Sequence, residues 1–358
     1  MTVTLPKDVQ IQTYCPEDFV ARGMPIGSRS LAGNPEVTRS LEDGLGWLQV
    51  LRQGLQHVPY LLETSSGGKT TGVLPLALVQ SAFFGRFLVS LPYVNSAGAI
   101  AETSAAACQL LDGAVALADQ LNVRYLELRH EQELIHPALT HKNESKVLMR
   151  LKLPATVEQL WNCFRSKLRS QIRSGERHDF EIRWGAYECL DEFYHVFSHN
   201  MRDLGTPVYS RNFFRAILTH FPDRAELCVL RMKGEPVASA LLTHDELLTE
   251  VPSASSLKAF NSTNANMFMY WHLLQRAVHR GQQTFDFGRS TIDSSTFRFK
   301  RQWGAEPSPS VWQYYLRRGS ISDMRPHNAK YGLAIQTWRR LPVWVTRLIG
   351  PAIVRGIP

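Results

Sequence analysis

LLDGAVALADQLNVRYLELR, Leu110 to Arg129, and YWHLLQRAVHRGQQTFDFGR, Tyr270 to Arg289, spell the same structural phrase twice, 160 residues apart. Each reads as an amphipathic helix, a polar turn, a strand and a closing arginine, as the apolar period changes from 3.6 to 2. A similar pair of short strands precedes each copy. PYLLET and GVLPLALV lie between Pro59 and Val79, and AELCVLRM and PVASALLTH between Ala225 and His244. Two copies of one α/β unit predict two domains of mixed sheets flanked by helices. A ligand is expected at the seam between them, because clefts at domain interfaces are concave and exclude water.

The 358 residues suit two domains, each large enough to bury a core. No Pro/Gly/Ser tract separates the halves, and the join VLMRLKL, Val147 to Leu153, reads as an alternating strand able to pass between sheets. The expected division is 1–150, 151–320 and a basic amphipathic tail, 321–358. With 44% hydrophobic and 20% charged residues, neither disorder nor a fibrous class is indicated. MTVTLPKDVQIQT has no basic segment followed by an apolar run, which predicts a cytoplasmic site. Cys15, Cys108, Cys163, Cys189 and Cys228 are odd in number and scattered, so neither a disulfide framework nor a cysteine zinc site is expected.

A formal charge of +8 favours polyanionic partners. Arg165, Arg169, Arg173 and Arg177 recur every four residues, a step that turns a helix only about 40° and keeps them on one broad face. Such a stripe suits the phosphates of a nucleotide-linked substrate, a lipid headgroup or a transfer RNA. A solvated helix face is the plain alternative. No acid follows Asp323, while Arg325, Lys330, Arg339, Arg340, Arg347 and Arg355 alternate with Trp338, Trp344, Leu348 and other apolar residues. The apolar stretch from Leu341 to Val354 falls short of the roughly 20 residues of a spanning helix. It fits peripheral contact with an anionic membrane, or else a helix docked on the body.

Several motifs fail on inspection. SSGGKTTG, Ser65 to Gly72, has Glu63 where a phosphate loop needs its first glycine, and reads as a hairpin turn. GLGWLQ, Gly44 to Gln49, lacks the third glycine of a dinucleotide fingerprint. His195 and His199 share a helix face without the glutamate of a zinc motif, so no metal is expected. There is no G-x-S-x-G elbow.

Polar residues crowd instead into TFDFGRSTIDSSTFRFKRQWGAEP, Thr284 to Pro307. A strand here would deliver Asp286 and Arg289 at its carboxyl end, where open α/β sheets bind ligands. If SSTFRFKRQW is a short helix, Lys300 and Trp303 share a face that offers a cation and an aromatic plate. Structural roles exist for the same residues: Asp286 as an ion-pair or turn acid, Trp303 as core.

The order strand, DFGRS, helix with FKRQWGAEP, then SVWQYYLRR resembles the FemAB-related proteins, within the Fem-type aminoacyltransferase group of the GNAT superfamily. SLPYVNSAGAI (Ser90 to Ile100), SKLRSQIRSGERHDFEIRWG (Ser166 to Gly185), NMRDLGTPVYSRNFF (Asn200 to Phe214) and the tail RLPVWVTRLIGPAIVRGIP are similar to that family's blocks. The subgroup resembled is the one associated with exosortase and PEP-CTERM exopolysaccharide systems. The resemblance spans about Tyr14 to Pro358 and implies tandem acetyltransferase-like (GNAT) domains with the acyl-transfer site in the second.

It further implies transfer of an acyl or aminoacyl group to an amine of an envelope or exopolysaccharide precursor. The acceptor would be a small molecule or a lipid- or nucleotide-linked sugar. The donor would be aminoacyl-tRNA or acyl-CoA, with no tightly bound cofactor. A CoA-binding GNAT carries a glycine-rich turn before its central helix, whereas this chain has FNSTNANMFMYW, Phe260 to Trp271, with asparagines that can form tight turns. Lys300 matches the family's lysine and is expected to stabilise the oxyanion, with Asp286 or Glu250 accepting the amine proton. Arg289 and Arg298 would grip phosphates, and Tyr93 and Asn95 fall in the acceptor-loop block. Two rival readings stand beside this: an inactive protein that holds a polyanionic glycan or lipid intermediate, and a nucleic-acid binder whose affinity falls steeply with salt.

Overall fold

The computed structural model describes residues 10–14, 35–81, 84–318 and 330–357. Cys15, Asp323 and Arg325 lie outside them. The chain forms two compact units. One contains residues up to 144 with 310–318 and 355–357, the other 145–309 and 330–354.

The first unit contains β1 (Gln10–Tyr14), α1 (Pro35–Leu55), β2 (Val58–Ser66), β3 (Lys69–Ser81), β4 (Gly85–Val89), β5 (Ile100–Ala101), α2 (Ser104–Gln120), β6 (Tyr125–His130) and β7 (His141–Asn143). Its sheet runs β1-β2-β3-β4-β6-β15-β7, where β15 is Val311–Leu316, and β5 pairs with β3. The SSGGKTTG stretch is the β2–β3 hairpin turn, with Gly67 and Gly68 at φ of +57° and +77°. Thr103 caps α2 by accepting from the Ala106 amide at 3.2 Å, satisfying one orphan donor of the first turn. The apolar face of α2, Leu110, Leu111, Ala114, Leu117 and Ala118, is buried against Leu62, Leu74, Leu76, Leu126 and Leu128 of the sheet.

The second unit contains β8 (Lys146–Lys152), α3 (Val157–Cys163), α4 (Ser166–Glu176), β9 (Phe180–Gly185), α5 (Leu190–Leu204), α6 (Arg211–His220), β10 (Ala225–Met232), β11 (Glu235–His244), β12 (Leu248–Ser256), α7 (Ala265–His279), β13 (Thr284–Thr291), α8 (Ser295–Gln302), β14 (Glu306–Ser308), α9 (Lys330–Arg340) and α10 (Val343–Val354). Its sheet runs β14-β8-β13-β12-β11-β10-β9. In α7, Leu273, Leu274 and Ala277 lie fully buried against Leu230, Ala240 and Leu242 of the sheet.

The repeat appears in the hydrogen-bond register. In the first unit β4 and β6 pair in parallel from Phe87↔Tyr125 to Val89↔Glu127, and in the second β12 and β13 pair in parallel from Leu248↔Thr284 to Glu250↔Asp286. Matching positions stand within one residue of the offset read from the sequence. Two expectations need correction. The join strand, β8, stays within the second unit's sheet. The strand that changes sheet is β15: it leaves the 151–320 segment and pairs antiparallel with β6, from Val311↔His130 to Leu316↔Tyr125. Burial accounts for this, because Trp312 and Tyr314 complete an apolar cluster with Val79, Phe87, Val89 and Tyr125.

Candidate active site

The second unit's parallel pair lasts three register positions and then stops at Glu250↔Asp286. Beyond it both strands are irregular. β12 has two residues, Val251 and Pro252, facing the single Leu242 of β11, which is a bulge. β13 shifts register against β8 between Asp286 and Arg289. Gly288 sits in that shift at φ +74°, a left-handed conformation open to glycine and strained for other residues. The strands therefore part at their carboxyl ends, where the parallel ladder between β12 and β13 stops.

Lys300 reaches this point from α8. Ser294 starts that helix by accepting from the Phe297 amide at 3.1 Å, and the spacing of three turns Lys300 and Trp303 inward together. Lys300 is 8% exposed, and its Nζ donates to the carbonyls of Gly288 and Arg289, both at 3.0 Å. Burial pushes its pKa down to about 8, while the charges of Asp286 and Glu250 hold it up and that of Lys146 lowers it. At pH 7 it is a buried cation in contact with a bulge of main-chain carbonyls.

Asp286 is buried and doubly engaged. Its Oδ1 accepts from the Gly288 amide at 2.7 Å and its Oδ2 from Arg150 Nε at 2.9 Å. It therefore fixes the bulge that Lys300 grips. Glu250, half-buried, is its register neighbour on β12. The structure thus brings Lys300, Asp286 and Glu250 together. Arg150 joins them without having been foreseen. The one signal for it was a cation inside the otherwise apolar run VLMRL of β8, directly opposite Asp286.

Other expected residues stand elsewhere. Arg289 flanks the cluster, since its carbonyl takes one of the Lys300 bonds. Arg298 is exposed on the first turn of α8 and donates to the Asp293 carbonyl at 2.6 Å. Arg169 and Arg173 lie on α4, where Arg173 stacks over Trp161 at 5.5 Å. Trp303 requires a correction. It is 1% exposed, with Phe164, Tyr270 and Phe299 rings around it at 5.5, 6.0 and 6.4 Å. It is a core plate rather than a platform for substrate.

Before α7 a 3-10 turn, Lys258–Thr263, leads into Asn264 at φ +55°. An asparagine thus takes the left-handed position at the foot of the central helix, a role short polar side chains tolerate. The rings of His195 and His199 lie beside each other on α5, tilted, with centroids 4.3 Å apart. Among the described residues no group of three or more His, Cys, Asp or Glu is placed to hold a metal ion.

Tyr93 and Asn95 belong to the first unit, whose corresponding strand ends look different. After Val89 the chain folds back onto β6. The Ser90 amide donates to the Glu127 carbonyl at 2.9 Å, and the Arg129 amide donates to Ser90 Oγ at 2.8 Å. Arg129, 3% exposed, donates to Glu127 at 2.8 Å and to the Val94 carbonyl at 2.8 Å, and lies 4.0 Å over Trp312. Leu91 and Tyr93 take φ of +49° and +81° in this loop, and the Asn95 carbonyl accepts from Trp312 Nε1 at 3.2 Å. In the first unit the loop and an internal ion pair occupy the place where the second unit's strands part.

Residues 163–301 match the family model described as an acetyltransferase (GNAT) domain. Among solved structures, FemX is similar at 14% identity and a TM-score of 0.58, over 79% of this chain and 96% of its own. A protein named as the C-terminal domain (DUF2156) of a lysylphosphatidylglycerol synthetase from Agrobacterium fabrum aligns at 14% identity and 0.53, over 84% and 97%. A tandem GNAT protein from the clavulanic acid biosynthesis pathway aligns at 13% and 0.51, over 87% and 100%. No curated protein matches the sequence. The chain has the tandem GNAT fold, and its segment 163–301 is similar to the acetyltransferase (GNAT) domain family.

Proposed function

We propose that the protein is an N-acyltransferase whose reaction takes place in the second unit, at the parting of β12 and β13. The observation that carries this reading is the buried, cationic Lys300 held at the bulge of β13 beside two carboxylates. An amine attacks the carbonyl of an activated ester or thioester; the C–N bond forms, the carbonyl oxygen becomes an oxyanion, and collapse expels the alcohol or thiol. Lys300 uses two of its three N–H donors on main-chain carbonyls, which leaves one for that oxyanion. Glu250 takes the proton the amine sheds and returns it to the leaving oxygen or sulfur, and Asp286 keeps the bulge and the lysine in place.

The donor in this reading is aminoacyl-tRNA or acyl-CoA. Arg289, Arg298, Arg169 and Arg173 are cations of the same unit suited to its phosphates. The acceptor is an amine on a small molecule or on a lipid- or nucleotide-linked sugar of envelope or exopolysaccharide synthesis, as in the exosortase-associated type that the sequence resembles, handled on the cytoplasmic side. Tyr93 and Asn95 are assigned to acceptor contact. One structural neighbour is named as a lysylphosphatidylglycerol synthetase, a name in keeping with an aminoacyl group joined to a lipid.

The test is transfer from labelled acyl-CoA and from aminoacyl-tRNA to amine acceptors, with wild type, Lys300→Ala and Lys300→Met. A loss of roughly 10²–10³-fold is expected for both variants, the scale for removing one oxyanion donor, with unchanged circular dichroism. Full activity in either variant removes Lys300 from the reaction. Saturable glycan binding without turnover in the wild type supports the binding-protein reading instead.

A further inference from the structure

The two C-terminal helices form no part of that site, yet they present a surface that a dissolved protein ordinarily covers. α10 is two-sided. Thr346, Gly350 and Val354, four residues apart, form its buried stripe. Gly350 lies so close to its neighbour that an added Cβ would meet the Val208 amide nitrogen at 2.8 Å. Arg347 donates to Ser198 at 2.8 Å, and Arg202 donates to the Leu341 carbonyl at 3.2 Å. The helix is therefore fixed to the second unit by its small and polar residues. Trp344, Leu348 and Ile349 point the other way.

Trp344 is 69% and Leu348 72% exposed, one turn apart, with Ile349 beside them and exposed Ala352 continuing the row. Arg339 and Arg340, both exposed, stand just before α10, and exposed Arg355 just after it. No acidic residue occurs in the sequence after Asp323. An apolar face with an indole, flanked by arginines on a segment that carries no acidic residue of its own, matches the boundary between acyl chains and anionic headgroups. Among the described residues no helix is long and apolar enough to cross a membrane, so the fit is to lying on the surface.

A second copy of the chain is a poor occupant. A two-fold contact would set arginine against arginine, Arg339 and Arg340 meeting their own images if the helices ran parallel and Arg355 if they ran antiparallel.

We infer that the outward face of α10 docks the protein on an anionic lipid bilayer, with Trp344 and Leu348 entering the interface and Arg339 and Arg340 engaging lipid phosphates. This stands whether or not Lys300 transfers an acyl group. The experiment is co-sedimentation of the full chain with vesicles of pure phosphatidylcholine and of phosphatidylcholine mixed with phosphatidylglycerol. Binding to the mixed vesicles alone is expected. Arg339→Gln/Arg340→Gln should lower the partition coefficient roughly thirtyfold, about fivefold per charge, and added salt should weaken binding of the wild type.

Trp344→Ala/Leu348→Ala should abolish binding with unchanged circular dichroism. Trp344→Phe should remove the blue shift of fluorescence that vesicles produce in the wild type. Binding indifferent to these substitutions, or no binding to anionic vesicles, overturns the inference. So does a dimer in solution, without vesicle binding, that Leu348→Glu dissociates, which would assign the face to a second copy.

Discussion

At Lys300, burial and two carboxylates pull in opposite directions, and burial wins: the pKa falls to about 8 although Asp286 and Glu250 favour the charged form. The sign of the pH dependence therefore separates two roles. A lysine acting as a cation loses its function as pH rises through about 8, whereas one acting as a base gains it. The expected outcome is transfer activity that declines through that pH, and Lys300→Arg, which stays charged, should lose this alkaline limb even if its rate is lower. The same depression gives a stability effect. The unfolded chain binds the proton more tightly, so this group's contribution to stability rises with pH between about 8 and 10.5. Trp303 belongs to the same helix but to a different argument. As a buried plate in an aromatic cluster, its replacement by alanine should cost about 3–5 kcal/mol, seen as a lower denaturation midpoint. A substrate-stacking residue would instead raise KM with little change in stability. Lys300 was singled out in the sequence by its match to the family's lysine and by its spacing from Trp303. Whether Trp303 faced a ligand or the core was not legible, since both lie on the inward side of one turn.

Among elements, β10, β11, β12 and α7 are tied by a charge network that local sequence does not announce. Glu226 on β10 accepts from His244 Nε2 at 2.9 Å and, as a fork, from Arg276 of α7 at 2.9 and 2.7 Å. His244 Nδ1 meets Thr249 Oγ1 at 2.9 Å, and Arg276 lies 5.1 Å over Trp184 of β9. Burial would raise the pKa of Glu226, but hydrogen bonds from His244 and Arg276 outweigh it and hold the carboxyl at about 2. A depressed carboxylate stabilises the fold above its unfolded value and loses that contribution as pH falls toward 2. Glu226→Gln should therefore cost about 2 kcal/mol at pH 7, less than the 3–5 of a fully buried pair because Arg276 is partly solvated. The variant should also show a shallower loss of stability with acid, and urea titrations from pH 7 to pH 3 would check both. A network of this kind is hard to read from a sequence because its members are up to 50 residues apart. Each one alone looks like an ordinary surface charge on a strand or a helix. The strands themselves were plain from their period.

Across the whole molecule, the duplication was readable because a repeated period of helix, turn and strand survives divergence of the individual residues. The partition of the chain was not. VWQYYL alternates well enough to suit either sheet, and nothing within six residues says which neighbour it will meet. The choice is made by long-range burial: Trp312 covers Arg129 at 4.0 Å and Tyr314 meets Tyr125 at 5.9 Å, so the first unit's ion pair and its β6 core are sealed by residues that follow the second unit's site in sequence. Trp312→Ala should then destabilise the protein by about 3–4 kcal/mol through the cavity it leaves and the exposure of Arg129 and Glu127. Hydrogen exchange would report where. Faster exchange is expected in β4, β6 and the loop 90–97, whose hydrogen bonds Arg129 organises, while β10 to β12 keep their protection. The opposite pattern, loss confined to the second unit, would mean that β15 belongs energetically to the segment it follows, as a division at 320 would have it.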